Sequence, residues 1–293
     1  RRVLFRSGGN VTDTWGKLFH GAYPELASRS VADLLSWTVL RTKKFREACL
    51  QQRSDLQEPR LQQRSECPDV TGLTHFIEFW AGSGTMTKEH VRRGLTCRRF
   101  DLDYNSLHDC TIGAGLRLWL EEVMRMAPGG LIWNGTQCSS FVMLSRSKSQ
   151  RRVENGYYGD ESRLFVQKGN EQMKVLSLII AIAALVGVDW ILEQPSGSVL
   201  PLMQPLKGVM EFDNGFKVTT WLGMFGAESP KPLQLWCNNR RFTALSRTRP
   251  RSTKTGLVDR LDKGKFRGRK HALKQSQSYP AKFAAAVAAL APS

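Results

Sequence analysis

The stretch that decides the fold reads His75-Phe-Ile-Glu-Phe-Trp-Ala-Gly-Ser-Gly-Thr85. Its first five residues are mostly apolar and predict a buried strand, His75–Phe79, that turns directly into a helix over Thr87–Arg93. Glycines in such a turn let a ligand approach the backbone closely, where a side chain would obstruct it. The stretch therefore predicts a ligand-binding turn between a strand and a helix.

Two acidic residues end the next apolar run, Thr96–Leu102, at Asp101 and Asp103. An acid at the tip of the second strand can accept hydrogen bonds from ribose hydroxyls, so glycines and acids together indicate an adenosine-bearing cofactor. Glu78, just before the glycines, is predicted to lie near an amino-bearing or positively charged part of that cofactor. The alternative is a surface residue on an edge strand.

Short apolar runs alternate with longer amphipathic ones from Leu73 onward, which is typical of a parallel sheet with crossover helices. The further predicted strands are Gly130–Trp133 and Asp189–Leu192, and the further predicted helices are Leu116–Arg125, Asn170–Val186 and Pro280–Leu290. We therefore predict an α/β, Rossmann-like domain over residues 74–293, with a mostly parallel sheet and helices on both faces. The apolar run Val175–Val188 is shorter than the ~20 residues that span a bilayer, which predicts a buried helix and no membrane partner.

The first 73 residues differ from the rest of the chain. They contain a predicted helix, Ala32–Leu50, and a repeated motif in which Leu50-Gln-Gln-Arg-Ser-Asp55 returns as Leu61-Gln-Gln-Arg-Ser-Glu66. Two copies are too few for a repeat protein. Residues 1–73 are predicted to be a helical or linker extension.

A large excess of positive charge points to an anionic partner. The chain has 43 Lys and Arg against 26 Asp and Glu, a net charge of +17, which favours nucleic acid. The short segment 238–274 holds much of this excess and is predicted to contact nucleic acid through Arg247, Arg249 and Arg251. A solvated basic linker is the alternative.

The six cysteines form no CxxC pair and have no His partner at zinc-finger spacing. This pattern indicates neither a metal site nor a disulfide framework. It fits a reducing compartment, so we expect an intracellular location, nuclear if the host is eukaryotic.

Two chemically distinctive residues follow predicted strands. Cys138 lies in the loop after Gly130–Trp133, and Glu193 ends the strand Asp189–Leu192. In open α/β sheets, ligands bind at the carboxyl edge of the strands, so both side chains are predicted to share one site. A buried free cysteine and a turn-capping glutamate are the alternatives.

These motifs, in this order, resemble those of the DNA (cytosine-5) methyltransferases over roughly Phe76 to Leu290. The family's cysteine loop usually reads Pro-Pro-Cys-x-x-Phe, and its carboxylate strand Glu-Asn-Val or Glu-Asn-Pro. The matching segments here are Thr136-Gln-Cys-Ser-Ser-Phe141 and Glu193-Gln-Pro195. The resemblance implies S-adenosylmethionine as cofactor, and attack on cytosine carbon 6 by the Cys138 thiolate with Glu193 as proton donor.

The resemblance also implies a set of cofactor-binding residues. They are Phe79, Gly82, Ser83, Gly84, Asp101, Asp103 and Asp109; capping of the following turn is the alternative for Asp109. Beyond the cysteine loop, Arg146 is predicted to bind nucleic acid. Together with Arg151 and Arg152, it either clamps the backbone of the nucleic acid or forms a solvated turn.

The chain departs from the family in three features. Both prolines of the cysteine loop are missing, and proline is what fixes the backbone there. The segment Phe225–Trp236 lacks the family's arginines, and the recognition region is only about forty residues long, which predicts weak sequence selectivity. The substrate is predicted to be DNA; the alternatives are an RNA methyltransferase and a nucleic-acid-binding relative without catalysis.

Overall fold

A computed structural model describes residues 10–30, 32–34, 36–38, 40, 41, 43, 44, 47, 73–250, 258–260, 266–269, 273 and 276–291. Its strands are β1 Thr74–Phe79, β2 Cys97–Phe100, β3 Met126–Asn134, β4 Asp189–Pro195, β5 Phe216–Trp221, β6 Pro232–Cys237, β7 Val258–Arg260 and β8 Phe266–Gly268. The helices named here are α1 Asn10–Ala22, α2 Thr85–Arg92, α3 Gly113–Met124, α4 Arg146–Ser149, α5 Leu164–Val186, α6 Leu206–Phe212 and α7 Ala281–Ala288.

The first six strands form one sheet in the order β2-β1-β3-β4-β6-β5. Strands β1 to β4 are mutually parallel, whereas β6 is antiparallel to both of its neighbours, so β5 runs in the same direction as the first four. The chain passes from β2, on one side of β1, to β3 on the other. The carboxyl ends of β1 and β3 therefore flank a point where the strand order reverses, and open α/β sheets bind ligands at such points.

Helices cover both faces of this sheet, because alternate strand residues point to opposite sides. On one face, Phe76, Leu131 and Ile191 are buried in a core that includes residues of α2 and α7. On the other face, Ile77 and Ile132 are buried in a core that includes residues of α1, α3, α5 and α6. The predicted α/β architecture with a mostly parallel sheet is confirmed.

The predicted strands and helices are all present, with shifted boundaries. Strand β2 ends at Phe100, so Asp101 lies directly after it, and β3 is longer than predicted at both ends. Pro280 immediately precedes the first turn of α7. Strands β5 and β6 and helix α6 had not been predicted.

Helix α5 begins at Leu164, earlier than predicted, and has 23 residues. By length and composition alone it could cross a membrane, but 78% of its most apolar window is buried inside the protein. The prediction of a buried helix is confirmed. The argument from insufficient length is wrong, because the helix is longer than its apolar run.

The described part of the first 73 residues is helical and packs on the sheet domain. Trp15, Phe19 and Tyr23, in and just after α1, are at most 2% exposed and belong to the same core as α3 and α5. The described residues between 32 and 47 are also helical, within the predicted Ala32–Leu50. The repeated motif at 50–66 lies outside the described residues.

Candidate active site

A cleft of about 480 Å³ lies at the carboxyl edge of the parallel strands, within the size range of small-molecule sites. It combines the turn after β1, the tip of β2, the loop after β3 and the end of β4. The predicted site residues that line it are Gly82, Ser83, Asp101, Asp103, Asp109, Cys138 and Glu193. The sequence-based expectation that these groups share one edge therefore agrees with the fold.

The glycine turn presents open backbone to the cleft. Trp80, Gly82 and Gly84 all have positive φ, at 54°, 51° and 64°, which explains why glycine occupies two of these positions. A Cβ atom built on Gly82 would meet no other atom within 4 Å. A ligand can therefore approach this residue directly.

Asp101 holds the turn in place. Gly82 N donates to Asp101 Oδ2 at 2.9 Å, and Asp103 N donates to Asp101 Oδ1 at 3.0 Å. On the outer side of the turn, the Tyr104 hydroxyl donates to the carbonyl oxygen of Gly82, and the Arg99 guanidinium stacks on the Tyr104 ring. The turn is thus fixed from outside while its inner side faces the cleft.

Two of the predicted cofactor residues do not line the cleft. Phe79 is fully buried, with its ring stacked on Trp119 at 4.3 Å between centroids, and Trp80 is the aromatic residue that faces the cleft instead. Gly84 caps α2 in a left-handed conformation, and a Cβ there would come within 2.9 Å of Arg99. Its role is therefore conformational.

Asp109 has the turn-capping role that was the alternative prediction for it. Its Oδ1 atom accepts hydrogen bonds from Thr111 N at 2.9 Å and from the Thr111 hydroxyl at 2.5 Å, so it caps the turn before α3. The residue also lines the cleft.

Glu78 lies beneath the glycine turn rather than in the cleft. It is 1% exposed on a central strand, so the alternative of an edge-strand surface residue is wrong, and it is not among the lining residues. Its Oε2 atom accepts from Thr87 N at 2.8 Å and from the Thr87 hydroxyl at 2.6 Å. Burial raises the pKa of Glu78 to about 7. Its carboxyl group anchors the first turn of α2.

The cysteine loop, which has no proline before Cys138, is held by side-chain hydrogen bonds. Gln194 Nε2 donates to the carbonyl oxygen of Thr136 at 2.8 Å, and the Ser198 hydroxyl fixes Gln194 by donating to its Oε1 at 2.8 Å. Beyond the cysteine, Phe141 N donates to the Cys138 carbonyl oxygen at 2.9 Å. The loop is therefore anchored on both sides of the sulfur.

Arg151 is a second anchor of this loop, so both alternatives predicted for it, a clamp on nucleic acid and a solvated turn, are wrong. The residue is 1% exposed. Its Nε donates to Ser140 O at 2.9 Å, and its Nη1 donates to Tyr157 O at 2.6 Å and to Asn170 Oδ1 at 2.8 Å. The guanidinium thus ties the loop to α5.

Cys138 is half-buried and lines the cleft. Burial raises the pKa of its thiol, and the nearby Glu193 carboxylate raises it further, while Lys231 acts in the opposite direction. The thiolate is the nucleophilic form of cysteine. Burial and Glu193 therefore oppose ionisation of the Cys138 thiol, and the positive charge of Lys231 offsets part of that cost.

Glu193 reaches the cleft from β4 and is 6% exposed. Its Oε2 atom accepts a hydrogen bond from the Tyr279 hydroxyl at 2.7 Å. Its Oε1 atom is buried with no hydrogen-bond partner in the described part of the chain. One carboxylate oxygen is thus held by Tyr279, while the other has no hydrogen-bond partner among the described residues.

Sequence reasoning missed the contribution of Lys231 and gave the side chain of Tyr279 no role, although Tyr279-Pro280 and the helix after it resemble a motif that completes the cofactor pocket. Lys231 directly precedes β6 and donates from Nζ to Ser276 O at 2.7 Å. Because β6 is antiparallel, its first residue lies at the edge where β4 ends, and this brings Lys231 to the cleft. The only signal in the sequence was an isolated cation between Pro230 and Pro232.

The arginines predicted to contact nucleic acid are exposed where the structure describes them. Arg146 is exposed at the start of α4, and Arg247 and Arg249 are exposed. The Arg249 guanidinium stacks on the ring of Trp221, the last residue of β5. Arg251 lies outside the described residues.

Neither a protein-family model nor a curated protein sequence matches the chain.

Proposed function

We propose that the protein is an S-adenosylmethionine-dependent methyltransferase that acts on carbon 5 of cytosine in DNA. The observation that carries this proposal is that Cys138 and Glu193 line the same cleft as the glycine turn and the acids that follow β2. A nucleophile, an acid and an adenosine-type pocket are what this reaction requires. We accordingly assign the α/β domain to the methyltransferase fold.

The residues at the β1 end of the cleft fit the cofactor. Gly82 offers unobstructed backbone, Asp101 and Asp103 offer acceptors for ribose hydroxyls, and Trp80 offers an aromatic surface. When bound, S-adenosylmethionine supplies an electrophilic methyl group. Asp109 is a further acceptor on the same wall.

Cys138 and Glu193 then have different roles in the reaction of the base. The Cys138 thiolate adds to carbon 6, and the displaced electron pair moves through the ring to nitrogen 3, where Glu193 donates a proton. Carbon 5 becomes nucleophilic and accepts the methyl group. Loss of the carbon 5 proton to water expels the thiolate, and Glu193 recovers its proton from nitrogen 3.

A cytosine in a duplex must leave the base stack to reach this cleft, and phosphate contacts must hold the strand meanwhile. Exposed arginines are available for this contact. Strand β5 runs parallel to β1 and β4, so Trp221 and the stacked Arg249 lie at the same edge as the cleft. We infer that Arg146, Arg247 and Arg249 contribute to nucleic-acid binding.

One observation favours the non-catalytic alternative. Burial raises the pKa of the Cys138 thiol, which lowers the fraction of reactive thiolate in the free protein. A relative that binds nucleic acid without methylating it needs no thiolate. The catalytic and the non-catalytic candidates therefore predict different outcomes of a trapping experiment.

Trapping with 5-fluorocytosine separates the candidates. A fluorinated DNA duplex and S-adenosylmethionine should give a covalent adduct that survives denaturing electrophoresis, because fluorine at carbon 5 blocks the elimination step. Cys138→Ser should lose the adduct, whereas Cys237→Ser, at a fully buried cysteine in β6, should retain it. Binding of cofactor and DNA without an adduct would support the non-catalytic candidate, and an adduct with fluorinated RNA alone would change the substrate.

Cofactor binding can be tested at Gly82. Gly82→Ala places a methyl group in the open space of the cleft, so we expect calorimetric affinity for S-adenosylmethionine to fall about tenfold or more, equivalent to about 1.4 kcal/mol. Gly94→Ala is the matched control, because Gly94 also has a positive φ with no atom within 4 Å of a Cβ but does not line the cleft. Equal affinities in the two variants would contradict the proposed pocket.

A further inference from the structure

Tyr279 forms a hydrogen-bonded chain with Glu193 and Trp133. Its hydroxyl donates to Glu193 Oε2 at 2.7 Å, and its oxygen accepts from the indole Nε1–H of Trp133 at 3.3 Å. The ring packs against Trp133 and Phe283 at centroid distances of 5.4 and 5.9 Å. Gly135 leaves room for the hydroxyl, since a Cβ there would lie 3.1 Å from it.

The hydrogen bonds from Trp133 to Tyr279 and from Tyr279 to Glu193 can run in only one direction. An indole N–H can only donate, so the tyrosine oxygen acts as acceptor toward Trp133 and its single proton is directed to Glu193. Burial and the adjacent Glu193 also raise the pKa of Tyr279 well above 10, so the hydroxyl remains a donor across the working range of pH.

The hydrogen bond from Tyr279 distinguishes the two carboxylate oxygens of Glu193. Oε2 is engaged by Tyr279, whereas Oε1 is buried with no partner among the described residues. An unsatisfied buried acceptor costs about 1–3 kcal/mol, and a ligand N–H at this position would remove that cost. The amino group or the protonated ring nitrogen of cytosine can supply such a donor.

We propose that Tyr279 is a positioning residue that holds Glu193 through Oε2, presents Oε1 to the base, and stabilises the carboxylate left when Glu193 gives its proton to ring nitrogen 3. This inference rests on the proposed function. The proton returns to Glu193 when the thiolate leaves, so the Tyr279 proton is never transferred. The hydrogen bond strengthens as charge develops on Glu193, and its effect therefore belongs to the chemical step.

Tyr279→Phe tests this role in the full-length protein. The change keeps the ring packing and removes the hydroxyl, and a hydrogen bond to a charged group corresponds to a fall in kcat of about 10- to 100-fold. We expect KM for DNA and the affinity for S-adenosylmethionine to change less than about threefold. Tyr158→Phe is the control, because its hydroxyl donates to Gln204 O at 2.7 Å and the residue does not line the cleft.

A double-mutant cycle adds a readout that a merely structural role would not affect. If Tyr279 acts through Glu193, Tyr279→Phe should cause no further loss of the residual activity, or of the rate of adduct formation, in Glu193→Gln. Equal kcat values for Tyr279→Phe and the wild type, or additive losses in the double variant, would overturn the positioning role alone. A wild-type protein that forms no adduct and transfers no methyl group would overturn the proposed function itself, and this inference with it.

Discussion

Glu78 is a buried carboxyl group that contributes to the stability of the glycine turn. It lies below the turn and accepts two hydrogen bonds from Thr87 at the start of α2. Burial opposes its ionisation more strongly than these bonds favour it, and so its pKa is raised to about 7. The folded state therefore favours the protonated form of the Glu78 carboxyl group.

Glu78→Gln is expected to change how stability depends on pH. A carboxyl group with a raised pKa contributes stability fully below its unfolded value of 4.5 and loses that contribution as the pH rises to about 7. Over this range the free energy of unfolding of the wild type should fall by up to about 3 kcal/mol relative to that of Glu78→Gln. Urea denaturation at pH 4.5 and 7.5 measures the difference, and the exposed Glu154→Gln should show none of it.

The residues of the cleft differ in how far sequence could predict them. Asp101, Cys138 and Glu193 each lie directly at or after the end of a strand that an apolar run had predicted, so their common edge followed from the sheet. Lys231 and Tyr279 reach the cleft through the reversed direction of β6 and the packing of α7. Those contacts are long-range, and no local pattern encodes them.

At the scale of elements, the cysteine loop illustrates how side-chain hydrogen bonds replace backbone rigidity. Gln194 anchors the loop from β4, and Arg151 anchors it to α5. The charged guanidinium is buried, and desolvation lowers its pKa to about 10. Such a group is tolerated because carbonyl and amide oxygens satisfy its donors.

Arg151→Met is expected to destabilise the protein and loosen the loop. It leaves several buried acceptors without a donor, and at about 1–3 kcal/mol for each unsatisfied group we expect a loss of about 3 kcal/mol or more. Arg152→Met, at the exposed neighbouring position, should change stability by no more than about 0.5 kcal/mol. Similar melting temperatures for the two variants would contradict the anchoring role.

Strands β5 and β6, which sequence analysis missed, lie together at one edge of the sheet. In the edge strand β5 only Val218 and Thr220 are buried, so its apolar alternation is weak. Strand β6 begins with Pro232 and contains Gln234, which donates to the carbonyl oxygens of Pro195 and Ser198. Their strand character depends on pairing with each other and with β4 more than on local composition.

At the scale of the whole molecule, the net charge of +17 determines the conditions under which nucleic acid should bind. Each phosphate contact steepens the dependence of log affinity on log salt by about 0.9 for duplex DNA. Arg247→Gln with Arg249→Gln should therefore flatten that slope by roughly two.

Fluorescence anisotropy with a labelled duplex at several salt concentrations measures the slope. The matched control is Arg92→Gln with Arg93→Gln at the end of α2, which removes the same charge at the opposite edge of the sheet. Because phosphate contacts depend on position, the control should leave the slope nearly unchanged. Equal flattening in both double variants would indicate an effect of net charge alone.

The packing of α7 has a consequence for the order of events during synthesis. Phe283, Ala284 and Val287 join the core of α2 and β1, and Tyr279 reaches Glu193 only when that helix is in place. A nascent chain in which α7 has not yet folded already contains Cys138 and Glu193, but Tyr279 is not yet held against Glu193. The proposed reaction should therefore become possible only after α7 has packed against α2 and β1.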